Sequence, residues 1–181
     1  IPTMLKEVVH DPAFDPGAFA SVRVGFFGGA SMPYQDIVTL IERIGYKHLL
    51  QVYGMTETQG IALSTTVYDS REIQLTTCGR PLPDFNLKLV DPESGEEVIG
   101  AGSGEAWIKG RTHLTYFGMP ADQLDQFYSD DGYYRTGDVI NRRPDGPYEF
   151  VTRIQDLIKV GGENLAPAAI ARLVKERNSV P

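Results

Sequence analysis

The sequence predicts an α/β fold that begins with a parallel βαβ unit and continues into a β-rich region, either a small barrel or a folded sheet. Three observations predict it. A run of β-branched and aromatic residues at 22–27 precedes a stretch with helical apolar spacing and then a second β-forming run. Short β-forming segments alternate with turns after about residue 75. From residue 157, a strand, a Gly-Gly turn and a helix predict the start of an α+β unit.

The βαβ unit is predicted because two β-forming runs flank a stretch whose apolar residues have helical spacing. Val22–Phe27 forms the first strand, and the second strand is predicted at His48–Tyr53. Between them a helix starts near Pro33, with Ser31 as its candidate cap, and Gly45 ends it. The apolar stripe of this helix has i, i+3, i+4, i+7 spacing: Ile37, Leu40, Ile41 and Ile44.

The two predicted strands should end at the same edge of the sheet. A strand–helix–strand crossover makes its strands parallel, so both carboxyl ends point the same way. Residues 28–31 and 54–57 follow these strands. Since α/β sheets bind ligands at such an edge, this pattern predicts a ligand site there.

The β-rich region is predicted to hold strands at Asn86–Val90, Glu105–Lys109 and Tyr148–Thr152, with one short helix at Ala121–Phe127. Residues 1–20, with three prolines, are predicted to be an irregular lead-in. At the other end, a strand at Leu157–Val160 precedes a helix that begins at Pro167. The predicted domain limits are 1–75, 76–154 and 155–181.

Composition and charge narrow the function classes. The net charge of −7 and the sequence pI near 4.9 disfavour a nucleic-acid binder, which normally carries a basic face. An acidic protein that handles phosphates must use backbone amides, a metal ion or a few placed cations. The single cysteine, Cys78, cannot form an internal disulfide, which fits a cytoplasmic location. No apolar stretch approaches the roughly 20 residues that span a bilayer.

Four segments carry a resemblance to a known family. Gly28–Ala30 and Gln51–Glu57 (Gln-Val-Tyr-Gly-Met-Thr-Glu) each follow a predicted strand. Tyr134–Asp138 (Tyr-Arg-Thr-Gly-Asp) lies about eighty residues further on, and Arg153–Asn164 closes the set. In this order and spacing they resemble the adenylate-forming superfamily, which includes acyl- and aryl-CoA synthetases, peptide-synthetase adenylation domains and luciferase. The segment Ile-Lys-Val-Gly-Gly-Glu-Asn is most similar to the corresponding segment of acid–CoA ligases.

This resemblance implies a fold and an activity. Residues 1–75 would end the α/β subdomain of a large N-terminal domain, residues 76–154 would form its β-rich subdomain, and residues 155–181 would contain a hinge and the start of a mobile C-terminal domain. The implied reaction activates a carboxylic acid with ATP as acyl-AMP, releases pyrophosphate and transfers the acyl group to CoA, with Mg²⁺ as cofactor.

The resemblance also assigns site residues. Thr56 would contact the α-phosphate and Glu57 would hold Mg²⁺, which makes these two the catalytic candidates. Tyr53 would stack on adenine, and Asp138 would accept hydrogen bonds from the ribose hydroxyls. The implied nucleotide-binding residues are Gly28, Gly29, Ala30, Gln51, Val52, Tyr53, Thr56, Asp138, Arg153 and Lys159. Taken singly, Tyr53 fits a core residue and the two acids fit turn residues, but their joint occurrence favours the functional interpretation.

Further roles follow from the same resemblance. The acyl pocket would be lined by Gly54, Met55, Gly60 and Ile61, which would admit an apolar acid. The narrow channel for the CoA thiol would pass Gly161 and Gly162, where a backbone can approach closely. Gln155 occupies the hinge position that usually holds Asp or Lys.

Two expected parts are missing from these 181 residues. The family's Ser/Thr/Gly-rich phosphate loop is expected upstream of Ile1, and the catalytic lysine is expected beyond Pro181. The sequence therefore predicts that this chain alone forms no adenylate. It lacks the phosphate-binding loop and the lysine whose positive charge would stabilise the transition state. Two alternatives stay open: an adenylation module that loads a carrier protein, and a non-catalytic nucleotide-binding remnant.

Overall fold

The computed structural model describes residues 2–30, 32–112, 116–160, 163–165 and 167. It confirms the mixed α/β class. The chain forms two compact units. The first unit comprises Ile1–Asn86, Gly110–Leu114 and Asp145–Glu149. The second unit comprises Leu87–Lys109, Thr115–Pro144 and Phe150–Pro181. The domain limits at residues 75 and 154 remain a prediction.

The predicted parallel βαβ unit is present in the first unit. Strand β1 (Val24–Phe27) pairs in parallel with β2 (His48–Met55), with Phe27 opposite Gln51. Helix α2 (Tyr34–Ile44) connects them and buries the apolar stripe predicted for it. Gly45 ends the helix in the left-handed region at φ 82°, where glycine carries no steric penalty. The candidate cap Ser31 lies outside the described residues, and Pro33 occupies the N-cap position.

The start of the chain is helical, which corrects the predicted irregular lead-in. Helix α1 covers Pro2–His10. Pro2 does not prevent it, because the first turn of a helix needs no intrahelical amide donor. Val9 is fully buried against the core, and Lys6 forms a 2.7 Å ion pair with Asp36 of α2. Tertiary packing therefore stabilises a helix that local proline content disfavours.

One hydrophobic cluster holds this α/β layer together. It joins α1, α2, β1 and β2 with the third helix, α3 (Arg71–Thr76). Its buried members are Val9, Phe27, Ile37, Leu40, Ile41, Ile44, Leu49 and Leu75. Burial of such side chains contributes about 1.5–3 kcal/mol each in transfer free energy, so the cluster fixes the position of the two parallel strands.

Two further strands extend the first sheet, and the sequence interpretation did not include them. Strand β3 (Gly60–Ser64) runs antiparallel to β2, and β4 (Arg80–Pro81) runs antiparallel to β3. The sheet order is β1-β2-β3-β4. Strand β1 pairs with residues 48–51 of β2 and β3 pairs with residues 52–55, so the carboxyl end of β2 lies beside β3, beyond the end of β1.

The second unit contains a four-stranded sheet, so the folded sheet is the correct one of the two predicted forms for the β-rich region. Its order is β5-β6-β7-β8, formed by Asn86–Val90, Gly102–Lys109, Tyr134–Arg142 and Tyr148–Arg153. Residue 86 and residues 148–149, at the ends of β5 and β8, are counted with the first unit. No closed barrel is found among the described residues. The predicted helix at 121–127 is present as α4 (Ala121–Leu124) and a 3-10 turn. Strand β7 had not been predicted.

The last described strands form a two-stranded antiparallel ribbon. It consists of β9 (Ile158–Val160) and β10 (Glu163–Leu165). Pro167 is helical, and the remainder of the helix predicted from it lies outside the described residues. Within the described part of the chain, every helix is too short or too polar to cross a membrane.

Candidate functional site

A cavity of about 250 Å³ opens in the first unit where β1 and β2 end. Its lining residues are Gly29, Val52, Gly54, Met55, Thr56, Gly60 and Ile61. All seven are among the residues that the sequence assigns to nucleotide or acyl binding. The structure thus brings these residues together, and their individual roles remain predictions.

Missing side chains create the space beside the strands. A Cβ atom on Gly28 would lie 2.5 Å from the carbonyl oxygen of Val52, so only glycine permits this approach of β1 to β2. Gly29 adopts a left-handed φ of 82° and turns the chain away from the sheet. The prediction that this segment offers backbone instead of side chains at the sheet edge agrees with this geometry.

The β2–β3 pair contains a bulge at the cavity wall. Tyr53 pairs with Leu63, but Gly54 pairs with Ile61, so Ala62 is an extra residue on β3. A Cβ atom on Gly54 would lie 1.8 Å from the carbonyl oxygen of Gly60. The bulge therefore requires glycine at residue 54, and such irregularities commonly re-aim residues next to active sites.

The turn after β2 is fixed by Thr58, which ends the predicted nucleotide-binding run but was given no role of its own. Its side chain is 1% exposed, and its hydroxyl accepts a 3.0 Å hydrogen bond from the Met55 amide. The same hydroxyl lies 2.7 Å from the Gly60 carbonyl oxygen, to which it can donate. Thr56 is exposed and Glu57 half-buried on this turn. The two catalytic candidates thus lie on a backbone that a buried hydroxyl holds in place.

Other predicted residues of β2 lie apart from the cavity lining. Tyr53 is 8% exposed and belongs to the buried core, so adenine stacking on its ring remains a prediction. Gln51 is half-buried, its backbone amide donates to the Thr65 hydroxyl at 3.0 Å, and its side-chain Nε2 lies 3.7 Å from the sulfur of Cys78. Ala30 is exposed at the end of the glycine segment.

The second unit pairs two of the predicted ribose contacts. Arg153 Nε lies 3.4 Å from Asp138 Oδ1. The side chain of Asp138 is 7% exposed and that of Arg153 is 60% exposed. A carboxylate with this little freedom is held in one position, whereas the guanidinium can adjust to a ligand.

Asp138 lies in a second bulge, within the β6–β7 pair. Glu105 pairs with Val139 and Trp107 pairs with Arg135, so Ala106 alone faces the Thr136–Asp138 segment. The Thr136 hydroxyl donates to the Ala106 carbonyl oxygen at 2.7 Å. It also accepts from the Asp138 amide at 3.1 Å. This arrangement gives a physical reason for threonine in the Thr-Gly-Asp motif.

Two predicted residues, Gln155 and Lys159, lie near the end of the described chain. Gln155 is exposed in a 3-10 turn, Ile154–Asp156, that directly follows β8. The backbone of Lys159 pairs with that of Asn164 in the β9–β10 ribbon. Gly161 and Gly162, the predicted CoA channel, lie outside the described residues. The hinge and channel roles remain predictions.

The protein ligands available for Mg²⁺ are sufficient only if a nucleotide contributes phosphate oxygens as well. Among the described residues no three His, Cys, Asp or Glu side chains group together as a metal site. Glu57 brings a single carboxylate. Mg²⁺ in nucleotide enzymes is commonly held by one or two carboxylates, with phosphate oxygens and water completing the octahedron. One glutamate next to Thr56, which lines the cavity, is compatible with that arrangement.

Comparison with known families decides the relationship. The model of the family described as AMP-binding enzyme matches residues 1–116. The chain belongs to this family. The resemblance to adenylate-forming enzymes, and to acid–CoA ligases among them, is thereby confirmed.

Relatives of this chain include proteins named as ligases. The mitochondrial medium-chain acyl-CoA ligase of Mus musculus is 31% identical over 170 residues, which is 93% of this chain and 28% of that protein. The corresponding ligase of Danio rerio is 29% identical over 173 residues, which is 96% of this chain and 28% of that protein. The chain thus spans about a third or less of the length of these curated relatives.

Solved structures show the same architecture. ATP-bound MatB from Rhodopseudomonas palustris has a TM-score of 0.82 and 26% identity, covering 99% of this chain and 34% of that one. The O-succinylbenzoate coenzyme A synthetase of Bacillus subtilis, in complex with ATP and magnesium ion, has a TM-score of 0.75 and 26% identity. That comparison covers 99% of this chain and 36% of the synthetase.

Proposed function

We propose that this chain is the central part of an AMP-forming acid–CoA ligase. The observation that carries the proposal is the first-unit cavity, whose seven lining residues all belong to the predicted nucleotide and acyl sites. Family membership supports the reaction class, and two structural relatives were solved with ATP bound.

In the proposed first step, a carboxylate oxygen attacks the α-phosphorus of ATP. A carboxyl–phosphate bond forms, the bond to the β-phosphate breaks, and pyrophosphate leaves. In the second step the sulfur of CoA attacks the acyl carbonyl carbon, AMP departs with the electron pair of the broken bond, and the thiol proton is released. Both steps develop charge on phosphate oxygens, which is where preorganised donors stabilise a transition state.

Each site residue has a proposed task in these steps. The exposed Thr56 hydroxyl donates to an α-phosphate oxygen, and backbone at Gly28 and Gly29 borders the base. Glu57 holds Mg²⁺, which neutralises phosphate charge when it is bound. Asp138 accepts from the ribose hydroxyls, and Arg153 balances the charge of Asp138 or of the nucleotide.

The acid is proposed to be apolar. Met55 and Ile61 contribute apolar surface to the cavity, and Gly54 and Gly60 leave room beside them. Two relatives named as medium-chain acyl-CoA ligases support the same class of acid. The lysine and the phosphate loop expected for catalysis are not found in these 181 residues, so the proposed activity belongs to the full-length protein.

Pyrophosphate exchange tests the proposal. The full-length protein is incubated with ATP, Mg²⁺, labelled pyrophosphate and a panel of carboxylic acids that range from short to long and from aliphatic to aromatic. We expect acid-dependent exchange, followed by acyl-CoA formation when CoA is added, and no exchange with the 181-residue chain. Nucleotide binding without exchange for any acid would instead indicate a non-catalytic remnant. Exchange with no transfer to CoA would indicate a carrier-protein acceptor.

A further inference from the structure

Glu105, on strand β6, has both carboxylate oxygens engaged. Its Oε2 accepts a 2.8 Å hydrogen bond from the indole nitrogen of Trp107, two residues along the same face of the strand. Its Oε1 accepts a 3.0 Å hydrogen bond from the backbone amide of Gly137, which is 32 residues away in the chain. Glu105 is half-buried, so neither contact is made in bulk water.

The bulge in β7 explains why Gly137 needs such a partner. Ala106 faces the whole of Thr136–Asp138, so the amides of the extra residues lose their regular ladder partners. A backbone amide left unpaired away from water costs free energy comparable to a lost hydrogen bond. Thr136 satisfies the Asp138 amide, and Glu105 satisfies the Gly137 amide. Two side chains therefore replace the missing strand contacts.

The direction of the chain at this point depends on the same contact. Gly137 has a left-handed φ of 69°, and a Cβ atom there would meet nothing within 4 Å. Glycine is thus required by the backbone angle and not by crowding. The next residue is Asp138, whose side chain is 7% exposed and paired with Arg153. Whatever orients the Gly137 peptide also orients the Asp138 carboxylate.

We infer that Glu105 is a positioning residue that fixes the Thr136–Asp138 bulge and thereby aims the Asp138 carboxylate, while Trp107 fixes the rotamer of Glu105. The inference rests on the proposed role of Asp138 in binding the ribose of ATP. A charged acceptor makes a stronger hydrogen bond than a neutral one, so a carboxylate suits a site that must hold a flexible glycine in the left-handed region. Side chains around the indole restrain it as well: Arg135 and Lys88 lie 4.9 Å and 5.1 Å from the ring centre.

The exchange of oxygen for nitrogen at Glu105 gives a sharp test. In Glu105→Gln one carboxylate oxygen becomes an NH₂ group, which cannot accept from Trp107 or from Gly137. The remaining side-chain oxygen can accept from either the Trp107 indole or the Gly137 amide. The other of these two donors then faces the NH₂ group, which is also a donor. In Trp107→Phe the indole donor is gone and the carboxylate keeps Gly137. The double variant Glu105→Gln/Trp107→Phe lets the amide oxygen face Gly137 without competition.

These variants are compared in the full-length protein by steady-state kinetics. Because ribose contacts hold the ground state and the transition state alike, we expect KM for ATP to rise with little change in kcat. The expected rise is about tenfold for Glu105→Gln and about twofold for Trp107→Phe, since hydrogen bonds to charged groups carry this order of effect. The double variant should bind ATP better than Glu105→Gln alone. The KM for CoA should not change.

Hydrogen–deuterium exchange provides a readout that does not depend on the reaction. Peptides that span residues 134–142 should exchange faster in Glu105→Gln and recover protection in the double variant. Ser103→Ala is the matched control, because Ser103 makes a cross-strand hydrogen bond to Asn141 in the same β6–β7 pair at 3.2 Å, away from the bulge. It should leave both readouts at wild-type values.

Two results would overturn the inference. One is unchanged exchange across residues 134–142 in Glu105→Gln; the other is a double variant that is worse than Glu105→Gln in both readouts. An Asp138→Ala variant with normal ATP kinetics would instead remove the proposed ribose role, while the exchange measurement would still decide whether Glu105 orders the bulge.

Discussion

The bulge at Tyr53 and Gly54 in the first unit depends on the absence of a side chain. The bulge at Thr136–Asp138 in the second unit depends instead on hydrogen bonds made by side chains. Gly54 lies directly against the Gly60 carbonyl, and nothing larger than hydrogen fits between them. The second bulge is instead held by the Thr136 hydroxyl and the Glu105 carboxylate. The first site should fail when a side chain is added, and the second when one is removed.

The largest effect is expected from adding one methyl group to the first bulge. In Gly54→Ala the new Cβ would lie 1.8 Å from backbone oxygen, which cannot move without opening the β2–β3 pair. We expect a loss of about 3 kcal/mol or more in the free energy of unfolding, at the upper end for overpacking. Urea denaturation of the 181-residue chain measures it.

Gly45→Ala is the matched control for that substitution. Gly45 has a positive φ of 82°, whereas Gly54 does not, and a Cβ atom at Gly45 meets nothing within 4 Å. Only the backbone penalty of about 1–2 kcal/mol should appear. Equal losses in the two variants would show that steric exclusion does not define the first bulge.

The next largest effect is expected when the Asp138 carboxylate is removed from the second bulge. Asp138→Ala in the full-length protein should lower kcat/KM for ATP by about 10- to 150-fold, the range expected when a charged hydrogen-bonding group is lost. Asp130→Ala, at an exposed position in the same unit, is the control and should behave like the wild type. Wild-type kinetics for Asp138→Ala would remove the ribose assignment.

A smaller effect should come from Thr58, a side chain on which the backbone at the first bulge does depend. Thr58→Val keeps the shape but removes the hydroxyl that holds Met55 and Gly60. We expect a destabilisation of about 2 kcal/mol, because a buried amide loses its acceptor. Thr58→Ser should recover most of it in the same denaturation experiment. If valine is tolerated, the turn is held by the glycines alone.

The smallest effect concerns a loop of the first unit that a carboxylate does hold. Asp69 accepts from the Thr66 amide at 2.7 Å and from Arg80 at 2.9 Å. Partial burial raises the pKa of Asp69, but the hydrogen bonds from Thr66 and the ion pair with Arg80 outweigh burial and hold the pKa below its ordinary value of 3.8.

Since the pKa of Asp69 is lower in the folded state, its stabilising contribution is complete above about pH 4 and disappears as the pH falls through the folded-state pKa. Asp69→Asn should therefore flatten the acid limb of the stability curve, by less than about 1 kcal/mol because Arg80 is half-exposed. Glu42→Gln, on the exposed face of α2, should leave that limb unchanged. A steeper acid limb in Asp69→Asn would contradict the assignment.

Much of the fold follows from local pattern. The stripe Ile37, Leu40, Ile41 and Ile44 predicts α2, and Gly45 predicts its end, because period and capping are properties of neighbouring residues. Helix α1 was missed, since Val9 stabilises it only through burial against residues distant in sequence. Strand β3 was missed for a related reason. Gly60 and Ile61 pair with Met55 and Gly54 beyond the bulge, and local β propensity does not reveal such a pairing.

The candidate site shows the same limit. The sequence indicates Gly54, Met55, Thr56, Gly60 and Ile61 because they stand together in a short motif, and the cavity joins them. Glu105 and Thr58 were not assigned. Glu105 meets Gly137 only across a pair of strands, and the signal in its own strand is a lone acid beside the buried residues Ala106 and Ile108. The signal for Thr58 is weaker, since a buried hydroxyl looks in sequence like any turn residue.

The interleaving of the two units along the chain has a consequence for anyone who recombines this protein with a relative. The chain leaves the first unit at residue 86 and returns to it at 110–114 and again at 145–149. The second return is anchored by Tyr148, whose amide donates to the Gly79 carbonyl at 2.8 Å and whose carbonyl accepts from the Cys78 amide at 2.7 Å. A single crossover in the gene upstream of the codon for residue 149 would therefore split the first unit between two parents. A chimera that inherits this unit intact must inherit all three stretches together.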